Sequence, residues 1–322
     1  MRKFRFVKKI KNFFRKKPLH AKGVSFSYDG SKNVLQGFNL TVRHNQIVGV
    51  VGQSGEGKST FLHLLSGSIT KGYGGKIKIH GVSAGLSKKD IGFVPQEISL
   101  LPDLSIKDNL RFFGSLNGIS GKRAENKGLE LMDLLRLNFS LGRKPSQLSG
   151  GQKSRFNIIV SLLHEPKVLI LDEPFVGLDY KNRKVLWHFL EYLKNRKHSV
   201  ILTTHMLVEA EMYSDRIVLL KNGKVFASGK LDDLREKLNA PYIVELKIRN
   251  HSKTRREALE EYCKDHDISI MDDFNNYMMF AVDSRGTRNY LYRFMKKQGY
   301  DYKEMGFREP NLDELFLKVK AR

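Results

Sequence analysis

Apolar positions recur along residues 19–240 with two periods, and each period predicts a different element. A period of two, or a short apolar run, predicts β-strands, and a period near 3.6 predicts helices. The predicted strands cover 20–28, 38–42, 46–51, 77–79, 91–94, 168–171 and 200–203. Helical periodicity runs through 102–145, and helices are predicted at 152–164 and 181–195. This alternation is typical of an α/β domain with a parallel sheet.

The pattern changes in the last third of the chain. Asn222-Gly223 joins strands predicted at 217–220 and 224–227 into a β-hairpin, and Asn239-Ala240-Pro241 indicates a domain boundary. The elements predicted beyond it are strand 242–249, helix 253–265, strand 268–272, strand 277–282, helix 286–298 and strand 301–307. The order β-α-β-β-α-β is ferredoxin-like. Because it carries no catalytic constellation, we expect a packing or regulatory module.

Composition is that of a globular, two-domain protein. The chain has 322 residues, of which 40% are hydrophobic and 28% charged. Its single cysteine, Cys263, excludes an internal disulfide and disfavours a cysteine-rich metal site, so we expect an intracellular protein. No run approaches the ~18–20 apolar residues of a membrane-spanning helix. We therefore expect that the chain does not cross a membrane by itself.

Positive charge is concentrated at the N-terminus. The chain holds 57 Lys and Arg against 34 Asp and Glu, a formal net charge of +23, and residues 1–17 contain nine of the cations and no acid. On a helical wheel Phe4, Phe6, Val7, Ile10, Phe13 and Phe14 fall within one half and most of the cations fall on the other, which favours the surface of an anionic membrane. A disordered basic tail and a helix docked on the protein are the alternatives. Nucleic acid is less favoured, because no recognition module accompanies the charge.

A glycine-rich sequence between a predicted strand and a predicted helix matches the pattern G-x-x-x-x-G-K-[ST]. It consists of Gly52-Gln53-Ser54-Gly55-Glu56-Gly57-Lys58-Ser59 and is followed by Thr60. Its glycines let backbone N–H groups converge on phosphate oxygens, and the helix N-terminus adds partial positive charge. Lys58 can reach the β- and γ-phosphates, and the Ser59 hydroxyl can bind Mg²⁺. The sequence therefore predicts a nucleotide phosphate site.

Two carboxylates follow the predicted strand 168–171. Asp172 would lie at the carboxyl end of the sheet beside the glycine-rich loop, where it can hold Mg²⁺. Glu173 is then available to polarise a water molecule for in-line attack on the γ-phosphate. On its own this pattern also fits a buried strand that ends in a solvated acidic turn, but the phosphate loop favours the catalytic interpretation.

A third motif, Leu148-Ser149-Gly150-Gly151-Gln152, matches the LSGGQ signature of ABC ATPases. The chain is similar to that family over about residues 18–235, and the other motifs follow in the family's order. Tyr28 resembles the residue that stacks on adenine, Gln96 the Q-loop glutamine, Asp179 in Gly177-Leu178-Asp179 the D-loop aspartate, and His205 the switch histidine. Val176 departs from the small polar residue that is common beside the D-loop.

The resemblance implies an α/β fold in which a P-loop, RecA-like core carries an antiparallel β subdomain and a helical subdomain, the latter at about 97–150. It implies ATP and Mg²⁺ as cofactors. The implied nucleotide contacts come from Tyr28, from residues 52–60 and from Ser149, Gly150, Gly151, Gln152 and Asp179. The implied metal ligands are Ser59, Gln96 and Asp172, and the implied catalytic residues are Lys58, Gln96, Glu173 and His205.

In the family, the signature closes over the nucleotide bound by the other subunit. One chain would therefore hold half of each of two sites, which implies a homodimer or a pair with a similar ATPase chain. ATP binding would close this dimer, and hydrolysis would open it.

Three uses of such an ATPase compete: transport through a separate permease, chromosome or repair work on nucleic acid, and control of the ribosome. Leu148 lies only 52 positions after Gln96, too few for a coiled-coil arm, and one set of motifs disfavours the fused ribosomal form. The tail Glu309-Pro310-Asn311-Leu312-Asp313-Glu314-Leu315-Phe316-Leu317 is similar to the ending of ATPases in the exporter branch that serves drugs, lipids and polysaccharides. The resemblance therefore implies an exporter ATPase on the cytoplasmic face of the cell membrane. Its expected domains are 18–238 and 242–322.

Overall fold

The computed structural model describes residues 18–249 and 252–321, with side chains as far as residue 316. The chain divides into two compact units between Lys230 and Leu231. The basic segment predicted at 1–17 lies outside the described residues.

The first unit contains two β-sheets. An antiparallel sheet has the order β2-β1-β4-β5, with β1 Leu19–Phe26, β2 Leu35–Val42, β4 Tyr73–Ile79 and β5 Val82–Ser83. A six-stranded sheet has the order β10-β9-β3-β8-β7-β6. Its strands are β3 Ile47–Val51, β6 Ile91–Val94, β7 Val168–Leu171, β8 Ser199–Thr204, β9 Arg216–Lys221 and β10 Lys224–Gly229. All pairings in this sheet are parallel except the hairpin of β9 and β10.

Six α-helices within residues 18–230 accompany these sheets. Their bounds are α1 Lys58–Ser66, α2 Ile106–Leu116, α3 Gly121–Leu134, α4 Gly150–Leu162, α5 Tyr180–Asn195 and α6 Leu207–Tyr213. Helix α2 begins at Ser105, whose side chain accepts a hydrogen bond from the Asp108 N–H, as expected for an N-cap. Helices α2, α3 and α4 contact one another, so the segment that the sequence predicts to be helical folds as a small helical layer.

The six-stranded sheet is covered on both faces, because alternate residues of its strands enter two different apolar cores. Leu169 and Leu171 of β7 pack with helices α4 and α5, whereas Val168 and Ile170 pack with helix α1 and the antiparallel sheet. Continuous apolar runs are the expected sequence of such strands. The carboxyl ends of the parallel strands β3, β6, β7 and β8 consequently meet at one edge of the sheet.

The second unit is an α+β fold with the ferredoxin-like order that the sequence predicts. Its antiparallel sheet has the order β12-β13-β11-β14, from β11 Tyr242–Ile248, β12 Ser269–Phe274, β13 Tyr277–Val282 and β14 Tyr302–Arg308. Its helices are α7 Leu231–Lys237, α8 Lys253–Asp265, α9 Arg285–Lys297 and α10 Leu312–Ala321. Helices α8 and α9 bury their apolar faces on the sheet, with Leu259, Leu291 and Met295 fully covered.

The tail motif forms the start of helix α10. The Asn311 side chain accepts a hydrogen bond from the Glu314 N–H at 3.0 Å, and the Glu314 carboxylate accepts one from the Asn311 N–H at 2.7 Å. This reciprocal pair is a capping box, in which asparagine takes the place of serine or threonine. Arg308 holds the box by donating to Glu314 at 2.6 Å and to Glu245 of β11 at 2.7 Å.

Among residues 18–249 and 252–321, no helix is both long and apolar enough to cross a membrane.

Candidate nucleotide-binding site

The glycine-rich loop joins β3 to α1 and wraps around the side chain of Lys58. The ammonium group donates to the Gly52 carbonyl at 2.9 Å and to the Gln53 carbonyl at 3.0 Å. Lys58 itself is only 9% exposed. The loop is therefore organised around a buried cation.

Close packing explains why glycine stands at the second fixed position of this loop. Gly57 has φ +93°, and a Cβ atom there would lie 2.9 Å from the Val34 carbonyl oxygen. The same carbonyl is approached by Gly223 in the β9–β10 turn, whose φ is +71° and whose Cβ would overlap it. The Gly223 carbonyl accepts a hydrogen bond from the Gln36 N–H at 3.0 Å, and the Glu56 carboxylate accepts one from the Asn222 N–H. Three distant segments thus meet at Val34.

A cleft of about 350 Å³ opens above this loop. It brings together residues from the ends of β3, β6, β7 and β8, as the parallel sheet requires. The lining residues are Val34, Ser54, Gly55, Gly57, Lys58, Ser59, Thr60, Gln96, Glu173, Val176 and His205. Nine of the nineteen residues that the sequence singles out for nucleotide chemistry therefore line this one cavity.

Tyr28 lies at the margin of this region. Its hydroxyl is 3.1 Å from the Thr60 hydroxyl, its ring meets Phe26 edge to face, and the residue is 67% exposed. An exposed ring so close to the phosphate loop leaves a face available for a flat ligand.

The two carboxylates after β7 have different surroundings. Asp172 is 3% exposed, and its N–H donates to the Val94 carbonyl at 2.9 Å, which continues the ladder between β7 and β6. Its Oδ1 accepts a hydrogen bond of 2.6 Å from the Thr203 hydroxyl. Asp172 and Gln96 line a second cavity of about 220 Å³, which shares Gln96, Glu173 and Val176 with the larger cleft.

Glu173 holds a left-handed backbone with φ +48°, uncommon for a residue other than glycine. Its N–H donates to the Thr203 hydroxyl at 2.9 Å, and its Oε2 lies 2.9 Å from His205 Nδ1. The Glu173 side chain is 12% exposed and that of His205 65%. If the carboxylate is ionised, Nδ1 must carry the hydrogen, which leaves Nε2 for a further partner.

The signature motif lies at the N-terminus of α4. Ser149 is the N-cap: its hydroxyl accepts from the Gln152 N–H at 3.3 Å, and the Gln152 side chain accepts from the Ser149 N–H at 3.0 Å. Ser149, Gly151 and Gln152 are absent from the lining of the cleft, and Gly150 lines only the smaller cavity. The chain therefore does not join its own signature serine to its own phosphate loop.

Arg155 stabilises the signature motif through hydrogen bonds, a role that the sequence does not predict. The guanidinium donates to the Gly151 carbonyl at 3.1 Å and to the Leu135 carbonyl at 2.8 Å. Burial lowers the pKa of Arg155. The residue thus holds the first turn of α4 against the end of α3.

Asp179 is the N-cap of α5 and accepts a hydrogen bond of 2.9 Å from the Asn182 N–H. That bond is the main reason why the pKa of Asp179 lies below its usual value.

Comparisons with known proteins agree with this geometry. Residues 35–176 match the family model described as ABC transporter. The chain is 34% identical to Nod factor export ATP-binding protein I of Rhizobium etli, over 93% of this chain and 92% of that protein. It is 29% identical to linearmycin resistance ATP-binding protein LnrL of Bacillus subtilis, over 94% and 98% of the two chains. It spans about a fifth of the length of the mammalian relatives that it matches.

Among solved structures, the dimeric structure of MJ0796, a bacterial ABC transporter cassette, is similar with a TM-score of 0.61 and 29% identity. The similarity covers 66% of this chain and 98% of that one. The motifs of this chain, its fold and these relatives all indicate the same family. The chain belongs to the ATP-binding proteins of ABC transporters.

Proposed function

We propose that this protein hydrolyses ATP between two paired ATPase chains and thereby drives a separate permease that exports its cargo. The observation that carries the proposal is the cleft above the phosphate loop, which is lined by Lys58, Gln96, Glu173 and His205 together. It unites a buried cation, an amide and a carboxylate–imidazole pair, which are the groups that phosphoryl transfer requires.

Phosphate binding follows from the loop. Lys58 is the cation of the loop, and Ser59 and Thr60 in the first turn of α1 line the same cleft, so a triphosphate is favoured at this helix N-terminus. Residues 52–60 would hold the phosphates. Tyr28 would stack on the base, because its ring is exposed beside Thr60.

The residues around the cleft fit a magnesium ion bound together with nucleotide. Ser59, Gln96 and Asp172 supply a hydroxyl, an amide and a carboxylate oxygen around the two connected cavities, and Mg²⁺ prefers oxygen ligands. Among the described residues, no cluster of three or more His, Cys, Asp or Glu side chains could hold a metal alone. A site with one carboxylate suits an ion that also binds phosphate oxygens, where it would neutralise developing charge.

Hydrolysis is assigned to Glu173. Its carboxylate would accept a proton from a water molecule while the water oxygen bonds to the γ-phosphorus and the bond to the ADP oxygen breaks. His205 Nδ1 lies 2.9 Å from the carboxylate, and its other nitrogen would contact the γ-phosphate. Gln96, which lines both cavities, would sense the same phosphate.

Pairing of two chains follows from the position of the signature. Because Ser149 does not line the cleft of its own chain, it is available to the nucleotide of a second chain. The cassette MJ0796 is dimeric, and its post-hydrolysis state is bound to ADP and Pi. A homodimer or a pair with a similar chain would hold two ATP molecules.

Export through a separate permease is supported by the relatives and by a set of exposed apolar residues. The relatives named above serve Nod factor export and linearmycin resistance. Four apolar residues are exposed in the segment after Gln96 and in helix α2: Ile98, Leu104, Phe112 and Leu116. These residues would dock the permease at the cytoplasmic face of the membrane, next to the residue that senses γ-phosphate.

The substitution Glu173→Gln tests the proposal. The amide cannot accept the proton of the attacking water, so we expect MgATP binding with turnover reduced by at least about 10²-fold, and accumulation of a closed dimer on size-exclusion chromatography. A matched Glu209→Gln variant, which changes a carboxylate paired with Arg183 outside the cleft, should hydrolyse ATP normally. Wild-type turnover by Glu173→Gln would remove the assignment. Co-purification of the native complex would identify the permease.

A further inference from the structure

The Thr203 hydroxyl connects the two carboxylate residues of the cleft. Thr203 is fully buried near the end of β8, where its Oγ1 lies 2.6 Å from Asp172 Oδ1 and 2.9 Å from the Glu173 backbone nitrogen. The sequence interpretation treats it only as part of a strand. No motif resemblance assigns it a role.

The direction of both hydrogen bonds is fixed by chemistry. The Glu173 N–H can only donate, so the Thr203 oxygen accepts from it, and the single hydroxyl hydrogen is left for Asp172 Oδ1. Oδ1 is thereby occupied, while Oδ2 accepts no hydrogen bond from the described residues. The hydroxyl therefore orients the carboxylate and leaves one defined oxygen for another ligand.

The second hydrogen bond acts on the backbone of Glu173. A left-handed conformation is unfavourable for a residue with a side chain, and Pro174 follows directly. The bond from the Glu173 N–H to Thr203 is one of the contacts that maintain φ +48° there. That backbone in turn directs the Glu173 side chain toward His205.

We propose that Thr203 is a positioning residue that sets the metal-binding oxygen of Asp172 and the carboxylate of Glu173 relative to each other. The proposal rests on the proposed function, because it assigns these two carboxylates to Mg²⁺ and to water. Partners of this kind behind metal ligands typically contribute 10–100-fold to metal affinity or activity.

The same strand offers a matched control. Ser199, at the start of β8, is 1% exposed, and its hydroxyl donates to the Arg43 carbonyl at 3.1 Å. Ser199→Ala removes a buried, hydrogen-bonded hydroxyl from β8 without touching the cleft. The activity of Ser199→Ala therefore shows the effect of removing a buried hydroxyl from β8 when the cleft is unchanged.

The test compares wild type, Thr203→Val, Thr203→Ser and Ser199→Ala. Valine keeps the branched shape without the hydroxyl, and serine keeps the hydroxyl. We expect Thr203→Val to lower kcat about 10–100-fold and to raise KM for MgATP up to about tenfold, whereas Thr203→Ser and Ser199→Ala stay within about threefold of wild type. A purely structural loss would affect Ser199→Ala as well and would not be rescued by serine.

A binding measurement separates this proposal from the proposed function. Titration of a fluorescent ATP analogue with and without Mg²⁺ should show that Thr203→Val loses about tenfold of the Mg²⁺-dependent gain in affinity while affinity without Mg²⁺ is kept. Unchanged kcat in Thr203→Val, equal losses in valine and serine variants, or an unchanged Mg²⁺ gain would overturn the role of Thr203. A wild-type chain without ATPase activity would instead overturn the proposed function, and the binding arm would still decide the effect of Thr203 on Asp172.

Discussion

Ser149 offers a test of cross-subunit completion that spares the fold. Its side chain caps helix α4 through the Gln152 N–H, and aspartate is as good an N-cap as serine. Ser149→Asp therefore keeps the cap while placing a carboxylate at the surface that would face the γ-phosphate of the partner's ATP. Ser149→Ala is the neutral control, since it removes the hydroxyl and the cap without adding charge.

The expected size of the effect follows from the two changes. Loss of the cap in Ser149→Ala costs about 1 kcal/mol of helix stability. A carboxylate about 4 Å from a phosphate charge is opposed by about 4 kcal/mol at the effective dielectric of a protein surface. Since 1.4 kcal/mol is a tenfold change, Ser149→Asp should weaken closure of the paired site about 10³-fold. Nucleotide binding to the isolated chain should change little, because the cleft does not contain Ser149.

The assay measures ATP hydrolysis and dimer closure for each variant alone and in mixture. Mixing Ser149→Asp with Lys58→Ala produces a mixed pair in which one composite site has an intact phosphate loop facing an intact signature. We therefore expect the mixture to regain up to half of the wild-type activity per pair. If Ser149→Asp hydrolyses ATP at the wild-type rate, or if it loses nucleotide affinity as a monomer, the cross-subunit reasoning is wrong.

Two further predictions concern the phosphate loop and the N-terminal segment. Gly57→Ala should lower the Tm of the nucleotide-free protein about 2–12 °C further than Gly55→Ala, because both have positive φ but only Gly57 is crowded by a carbonyl; equal melting curves would refute the crowding argument. We also expect the full chain to co-sediment with anionic liposomes at low salt and a chain that starts at Pro18 not to, since residues 1–17 carry nine cations; equal sedimentation would exclude a membrane role for that segment.

The sequence is most informative where chemistry and local structure coincide. The phosphate loop and Asp172-Glu173 follow compact apolar runs, and the parallel sheet brings their ends together as predicted. The predicted order of strands and helices in the C-terminal unit is likewise confirmed. It was predictable because the alternation of apolar and polar residues there is regular. Such patterns predict a strand or helix from its own residues and need no knowledge of distant contacts.

Features that depend on distant partners are not predictable in this way. Strand β4 begins at Tyr73, whereas the sequence predicts a strand only at 77–79. The prediction misses the first residues because Gly74 and Gly75 interrupt the apolar pattern, although this part of the strand pairs with β1. Thr203 resembles any β-branched strand residue until Asp172 and Glu173 are seen beside it. Arg155 resembles a polar helix residue until its bonds to Gly151 and Leu135 show that it is buried.

The meeting of Gly57 and Gly223 at the Val34 carbonyl has a consequence for biosynthesis. The turn that closes on this carbonyl lies 166 residues downstream of Gly57, and a ribosome needs about 8–33 s to make that length of chain. Until the end of this interval the nascent phosphate loop lacks the Asn222 bond to Glu56, and for most of the interval it also lacks the neighbouring strands β8 and β9. We therefore expect firm nucleotide binding to be acquired late in translation, when the hairpin arrives, so that ATP would act as a ligand of the nearly finished domain.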